Sequence, residues 1–300
     1  MQVSTKLFNE QFLNRFANLS GDIQKLQSRI ATGKNVLKAS DDPVTMINIS
    51  AAKEKQAQLQ RYSSNIDRAS SRLSMSEIAI TEMQSVITRI YELSIQAKND
   101  TYNSSDRQTI KAEISSLRDL TVDLANSKDT NGNSLFSGFR TNILPFEENI
   151  DGEIEYKGDQ GNHSLKISET VTMPTSINGA TAFMRIKTDD GYIPLFNVLD
   201  NLIDEVEEVG ASDTSLEHLN KTLNQLSINS TIIGANLNKA ETQKNGISQR
   251  QLLITNTLSG IEDADISVLI TEMQSLLLSK EAAQQSFMMI GQQNLFDFLR

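Results

Sequence analysis

The stretch that decides the fold is Leu269–Ile290, which reads LITEMQSLLLSKEAAQQSFMMI. Its apolar residues recur in steps of four and three, and Lys280 is the one interruption in the series. This spacing predicts a helix whose apolar stripe lies along another helix. The stripe, here called the C-terminal seam, comprises Leu269, Met273, Leu276, Ala283, Phe287 and Ile290.

A second stripe with the same spacing lies near the other end of the chain, in a helix predicted over about residues 5–36. This N-terminal seam comprises Phe12, Phe16, Leu19, Ile23, Leu26 and Ile30. Residues 1–40 carry a formal charge of +4 and residues 262–300 carry −4. Opposite charge favours pairing, but exposed ion pairs contribute only about 0.2–1 kcal/mol each. The seams therefore predict that the terminal helices pair, with the middle of the chain looped out between them.

The composition narrows the class of protein. Aromatic residues make up 5% of the 300 residues and Trp is absent, which favours long helices with thin seams over a thick globular core. The net charge of −10 argues against nucleic-acid binding, and the absence of cysteine excludes disulfides and cysteine–zinc sites. No apolar run approaches the roughly 18–20 residues of a membrane span, so we expect no membrane insertion. Residues 1–16 lack the apolar core of a secretory signal peptide, so any export would use another route.

Further helices are predicted after the first. Asp42 and Pro43 form a helix start, because a carboxylate accepts an unpaired N–H and proline suits the first helical position. The seam of this helix runs from Ile66 to Ala97, and its small polar residues imply close approach of a partner helix. A capping-box pattern beginning at Ser105 predicts a third helix.

Residues 131–191 end this helical pattern, since they contain seven of the fourteen glycines and two of the four prolines. Short alternating runs at 154–156, 165–167 and 184–186 predict strands of a small antiparallel β unit. This unit lies between helical arms, so we expect it to be an insertion that projects outward.

Helical periodicity returns after Pro194, first in a short acidic helix that ends at Gly210. A long helix follows, with an apolar seam over residues 216–258. Gly260 and the acidic residues 262–265 are predicted to mark a joint before the C-terminal helix.

The predicted fold class is mainly α, with an inserted small β domain. It is a long helical bundle or coiled coil in which the N- and C-terminal helices pair. We divide the chain into a terminal helical assembly domain (1–40 plus 262–300), a helical-bundle core domain (41–142 plus 193–261) and an inserted outer β domain (143–192).

The sequence predicts no catalytic, cofactor-binding or metal site. The histidines, His163 and His218, have no metal-ligand spacing around them. The adjacent carboxylates Asp41 and Asp42 precede a proline, and this pattern favours a helix cap over acid–base chemistry. Neither a glycine-rich phosphate loop nor a Gly-x-Ser-x-Gly elbow is present, so we expect a protein that is not an enzyme and uses no cofactor.

Several motifs, in this order, resemble the flagellin superfamily over nearly the whole chain. They are SDDP at 40–43, NGNSLFSGF at 131–139, YKGD at 156–159, NGATAF at 178–183 and NLFDFL at 294–299. Within the superfamily, the middle three resemble the proteins of the hook–filament junction.

The resemblance implies a structural subunit of the bacterial flagellum. It would be an adaptor between a hook-associated protein 1-type subunit on the hook side and flagellin on the filament side, with copies of itself in a ring. The alternative is a filament flagellin. A hypothesis of another class, a signalling coiled coil, does not explain the predicted β unit. It would also call for a membrane anchor, and the sequence shows none.

The resemblance also implies a route and a mode of assembly. Members of the family are exported unfolded through the flagellar type III channel, without a cleaved signal peptide, to the extracellular flagellum. Their terminal helices become ordered on assembly, and a type III export chaperone is expected on the C-terminal helix. The predicted assembly interface comprises Phe12, Phe16, Leu19, Ile23, Leu26, Ile30, Leu269, Met273, Leu276, Phe287, Ile290, Leu295 and Phe298.

Overall fold

The computed structural model describes residues 2–99, 102–189, 191–208 and 210–296. Within these ranges the chain is mainly helical and carries small antiparallel strand pairs, as the sequence predicts. The helices are α1 (Gln2–Thr32), α2 (Pro43–Ala97), α3 (Ser104–Ala125), α4 (Gly179–Phe183), α5 (Leu195–Glu208), α6 (Asp213–Glu262) and α7 (Ile266–Phe296).

The strands form three separate hairpins rather than one sheet. They are β1 (Phe146–Glu148) with β2 (Ile154–Tyr156), β3 (Ser164–Lys166) with β4 (Thr172–Pro174), and β5 (Ile186–Thr188) with β6 (Gly191–Ile193). The strand predicted over 184–186 is wrong in its position. Met184 is the C-cap of α4, so the strand begins only at Ile186.

Three predicted helix boundaries differ from the structure for local reasons. Gly33 adopts a φ of 67°, which ends α1 at Thr32. The capping box of α3 is formed by Asn103 and Asp106 rather than by Ser105, because each of these two side chains accepts the other residue's backbone N–H. Helix α6 passes through Gly260 without a break, and the joint lies at residues 263–265.

The described residues fall into two compact units. The terminal unit contains the residues up to Gln58 and those from Arg250 onward, and the central unit is Leu59–Gln249. Helices α2 and α6 each contribute residues to both units. The three-domain division made from the sequence stays a prediction.

In the central unit, the predicted seam of α2 is buried along its whole length. Two of its ten positions are polar, and both are satisfied within the helix, because Ser76 Oγ donates to the carbonyl of Arg72 and Ser94 Oγ to that of Ile90. The ten buried residues are Ile66, Ala69, Leu73, Ser76, Ile80, Met83, Ile87, Ile90, Ser94 and Ala97. Helix α6 buries an apolar residue at every seventh position, at Leu219, Leu226, Ile233, Ala240 and Ile247.

An aromatic cluster joins the β1–β2 hairpin to helices α4 and α5 of the central unit. The ring centroid of Phe146 on β1 lies 5.2 Å from that of Tyr156, 5.6 Å from that of Phe183 and 5.4 Å from that of Phe196 on α5. All three phenylalanines are buried. The β1–β2 hairpin and α4 therefore share a hydrophobic core with α5.

The aromatic cluster gives a direct test of this shared core. Phe146→Ala should lower the free energy of unfolding by about 3–5 kcal/mol, since a fully buried ring is replaced by a cavity. Ile150→Ala is the matched control, because Ile150 lies in the turn of the same hairpin and is fully exposed. The control should change stability by less than about 0.5 kcal/mol. Denaturant unfolding followed by circular dichroism measures both, and equal effects would contradict the shared core.

Candidate assembly interface

Helices α1 and α7 pack against each other in the terminal unit, and they run antiparallel. The rings of Phe12 and Phe287 stack with centroids 4.2 Å apart, and the Lys280 ammonium lies 5.2 Å from the ring centroid of Phe16. Lys34 forms a backbone bridge with Asp263. Positions thus rise along α1 as their partners fall along α7. Lys280 interrupts the apolar C-terminal seam, but it still contacts α1, because its ammonium makes a cation–π contact with the Phe16 ring.

Of the predicted interface residues whose side chains the structure describes, few are buried. Ile23, Leu26 and Leu269 are buried. The other predicted residues with described side chains are only half-buried, namely Phe12, Phe16, Leu19, Ile30, Met273, Leu276 and Phe287. Ile290, Leu295 and Phe298 lie outside the residues whose side chains the structure describes. The two seams therefore give each other only partial cover.

A second set of apolar residues in the terminal unit is exposed, and sequence periodicity did not select it. In α7 the most exposed is Leu278, at 69% of its surface. Consecutive apolar residues such as 276–278 were the available signal, because neighbours in a helix point in different directions and cannot all face one partner. The exposed apolar face comprises Leu7 and Leu13 on α1 and Ile266, Val268, Ile270, Leu277, Leu278, Met288 and Met289 on α7.

The end of α1 and the start of α7 are tied together by two short segments, 33–35 and 262–264, here called the clasp. The Asn35 N–H donates to the Glu262 carbonyl at 2.7 Å, and the Ala264 N–H donates to the Gly33 carbonyl at 2.9 Å. Glu262 Oε1 also lies 2.6 Å from Lys34 Nζ and 2.9 Å from Lys53 Nζ. The clasp thus fixes how the two terminal helices align.

The charges of the clasp stabilise one another. Hydrogen bonds from Lys34 and then Lys53 hold the pKa of the Glu262 carboxyl below its ordinary value. The hydrogen bond to Glu262 raises the pKa of Lys34 in turn. Both shifts favour the charged forms that make the ion pairs.

The residues at the start of α2 bind backbone and hydroxyl groups. Asp42 Oδ1 accepts the Thr45 N–H at 3.0 Å and Oδ2 accepts the Thr45 hydroxyl at 2.6 Å. The Thr45 hydroxyl in particular lowers the pKa of Asp42. Pro43 is the first residue of α2, and Asp41 accepts the Lys38 N–H at 3.1 Å. Each carboxylate therefore stabilises a turn of the chain.

In the described part of the chain, the remaining candidates for a chemical site are the two histidines and any group of metal ligands. His163 lies just before β3 and His218 lies in α6. Across the ranges that the structure describes, no three histidine, aspartate or glutamate side chains are grouped so that they could hold a metal ion. The helices in those ranges also lack the length and apolar character needed to cross a membrane.

Comparison with known proteins finds similar flagellar chains. Residues 3–141 match the family model described as the bacterial flagellin N-terminal helical region. The flagellar hook-associated protein 3 of Salmonella typhimurium is 25% identical, over 96% of this chain and 95% of that protein. A flagellin of Bacillus subtilis is also 25% identical, over the full length of both chains.

A solved structure shares the fold. The flagellar junction protein FlgL from Legionella pneumophila superposes with a TM-score of 0.62, and the match covers 72% of this chain and all of that one. Its sequence identity is 16%, so the likeness is one of fold.

The clasp generates a prediction about pH. Because the pKa of Glu262 is lower in the folded state than in the unfolded state, its stabilisation is present at neutral pH and is lost as the pH falls through the folded pKa. Glu262→Gln should reduce the exchange protection of the Ala264 amide roughly two- to fivefold at neutral pH. It should also flatten the dependence of that protection on pH.

Hydrogen exchange of the full chain, corrected for intrinsic exchange rates, measures this protection. Glu281→Gln is the matched control, since Glu281 lies on α7 and is exposed. A control that lost as much protection at Ala264 as Glu262→Gln would contradict the role given to the clasp.

Proposed function

Since the chain is a flagellin-superfamily protein of the hook-associated protein 3 type, we propose that it is a structural adaptor of the bacterial flagellum. In this role it joins a hook-associated protein 1-type subunit on the hook side to the flagellin filament. The solved junction protein with the same fold supports this assignment. The role is structural rather than catalytic.

The observation that carries the proposal is the exposed apolar face on α1 and α7. Many exposed apolar residues on two packed helices are typical of surfaces that bind other proteins. The two seams leave most of their residues half-buried, so the helix pair alone buries little apolar area against its ordering entropy. Neighbouring subunits in the flagellum would complete that burial, and the terminal segments 1–40 and 262–300 would act as the assembly domain.

The proposed neighbours include copies of the chain itself. A contact that joins two different faces of identical subunits closes into a ring when the rotation between them closes. A ring of adaptors would offer one side to the hook-associated subunit and the other to flagellin. The predicted interface residues of α1 and α7 would take part in these contacts.

Export forms a further part of the proposal. The chain would leave the cell through the flagellar type III channel without a cleaved signal peptide and become extracellular. Before assembly, α7 would expose apolar residues on more than one side. A type III export chaperone that binds helices in an apolar groove would cover this segment.

The second candidate is a filament subunit, because the likeness to the Bacillus subtilis flagellin extends over the whole of both chains. The two functions differ in location. Immunogold labelling of the protein on intact flagella should mark the hook end of the filament only. Labelling along the whole filament would contradict the adaptor role and support the flagellin alternative.

A substitution on the exposed apolar face tests the assembly mechanism. Leu278→Glu should leave the subunit folded, since Leu278 is exposed, but it should lower incorporation into flagella at least about tenfold. The reason is that a contact with a neighbour would bury an unpaired carboxylate. Incorporation is measured by quantitative immunoblotting of sheared flagella from cells that carry only the variant.

Ile150→Glu is the matched control, because it makes the same kind of change at a fully exposed residue outside the terminal helices. We expect this variant to assemble normally. If Leu278→Glu assembled as well as the control, α7 would not be the interface.

A further inference from the structure

The chain contains three Asn-Gly pairs, at 131–132, 178–179 and 245–246. This dipeptide can modify itself. The backbone nitrogen of the glycine attacks the side-chain Cγ of the asparagine, a new C–N bond closes a succinimide ring, and ammonia leaves. Water then opens the ring to give aspartate or isoaspartate. The reaction needs a backbone nitrogen that can reach the side chain, so the local structure decides which pair reacts.

The pair at 178–179 is held on both sides. Asn178 is buried, its Nδ2 donates to the Asp159 carbonyl at 2.6 Å, and its Oδ1 accepts the Ala180 N–H at 2.8 Å. The Gly179 N–H donates to the Phe136 carbonyl at 2.9 Å. Ring closure there would require the core of the central unit to open.

The pair at 245–246 is exposed but lies well inside α6. In a helix interior the backbone nitrogen is part of the hydrogen-bond ladder, and its geometry keeps it away from the preceding side chain. Ring closure there would require several turns of the helix to unwind.

The pair at 131–132 is both exposed and in a turn. Gly132 has a φ of 82°, and a Cβ placed on it would meet no atom within 4 Å. Its N–H makes one turn hydrogen bond, to the Asp129 carbonyl at 2.9 Å. Freeing the Gly132 nitrogen breaks this one backbone hydrogen bond, and both residues of the pair are already exposed. We propose that Asn131 is a deamidation site, at which the folded chain converts its own amide to aspartate or isoaspartate.

The reaction would loosen the loop that contains it. Asp129 Oδ1 accepts the N–H groups of Asn131 at 2.8 Å and Asn133 at 2.9 Å, and its Oδ2 accepts from the Arg72 guanidinium at 3.0 Å. Isoaspartate adds a methylene to the backbone between these two N–H groups. One carboxylate oxygen then cannot hold both, so the bond to Asn133 weakens.

Peptide mapping by mass spectrometry tests the site. The folded full-length chain is incubated above neutral pH, and the conversion of amide to acid is followed at the three pairs. Asn131 should react roughly tenfold faster, or more, than Asn178 and Asn245, because local opening costs differ widely across a folded chain. In denaturant the three rates should converge to within a few fold, which also shows that each product is detectable.

Two further measurements sharpen the outcome. Asn131→Gln should abolish the fast conversion in its peptide and leave the rates at the other two pairs unchanged. Hydrogen exchange at Asn133 should increase as isoaspartate accumulates. The inference is overturned if Asn131 reacts no faster than either of the other two asparagines in the folded chain.

Discussion

The clasp is the contact on which the terminal unit depends. Two backbone hydrogen bonds and the Lys34–Glu262 ion pair join the segment after α1 to the segment before α7, and Lys53 of α2 pairs with the same carboxylate. Backbone bonds between segments so distant in sequence close a long loop and fix which residues of the two seams lie opposite each other. The seams that follow bury only three of their described residues well. The clasp therefore sets the alignment of α1 and α7 at one end of the pair, and the partly buried seams keep the two helices in contact along the rest.

Because the clasp sets the alignment and the seams bury little apolar area, the pairing of α1 and α7 can be specific without being strongly stable. A fully buried apolar seam would pack α1 and α7 together and leave less apolar surface for other proteins. Here the pairing is defined by the clasp and by the Phe12–Phe287 stack, while Leu277, Leu278 and Met288 stay exposed. The same two helices can thus recognise each other and still offer surface to neighbours, as the proposed adaptor role requires.

Sequence patterns predicted the structural features that depend on residues close together in the sequence. The seam of α2 is buried and α2 begins at Pro43, both as predicted. These features were predictable because four-three spacing and a proline start depend on residues close together in the sequence. The clasp could not be predicted, since it joins backbone groups far apart in sequence. The choice of Asn103 over Ser105 as the cap was a competition between two good capping residues. Periodicity found the residues that face a helix's own partner, and it passed over exposed ones such as Leu278.

Lys280 carries a consequence beyond its single contact. Its ammonium lies over Phe16, and a slip of α1 by one heptad would bring it to Asn9 or Ile23, neither of which has an aromatic face. Aliphatic seams tolerate such slips, because one leucine or isoleucine can replace another with little loss. A charged residue among apolar ones removes that tolerance. A misaligned pairing would therefore lose the contact between Lys280 and the Phe16 ring, which is a penalty against such slips.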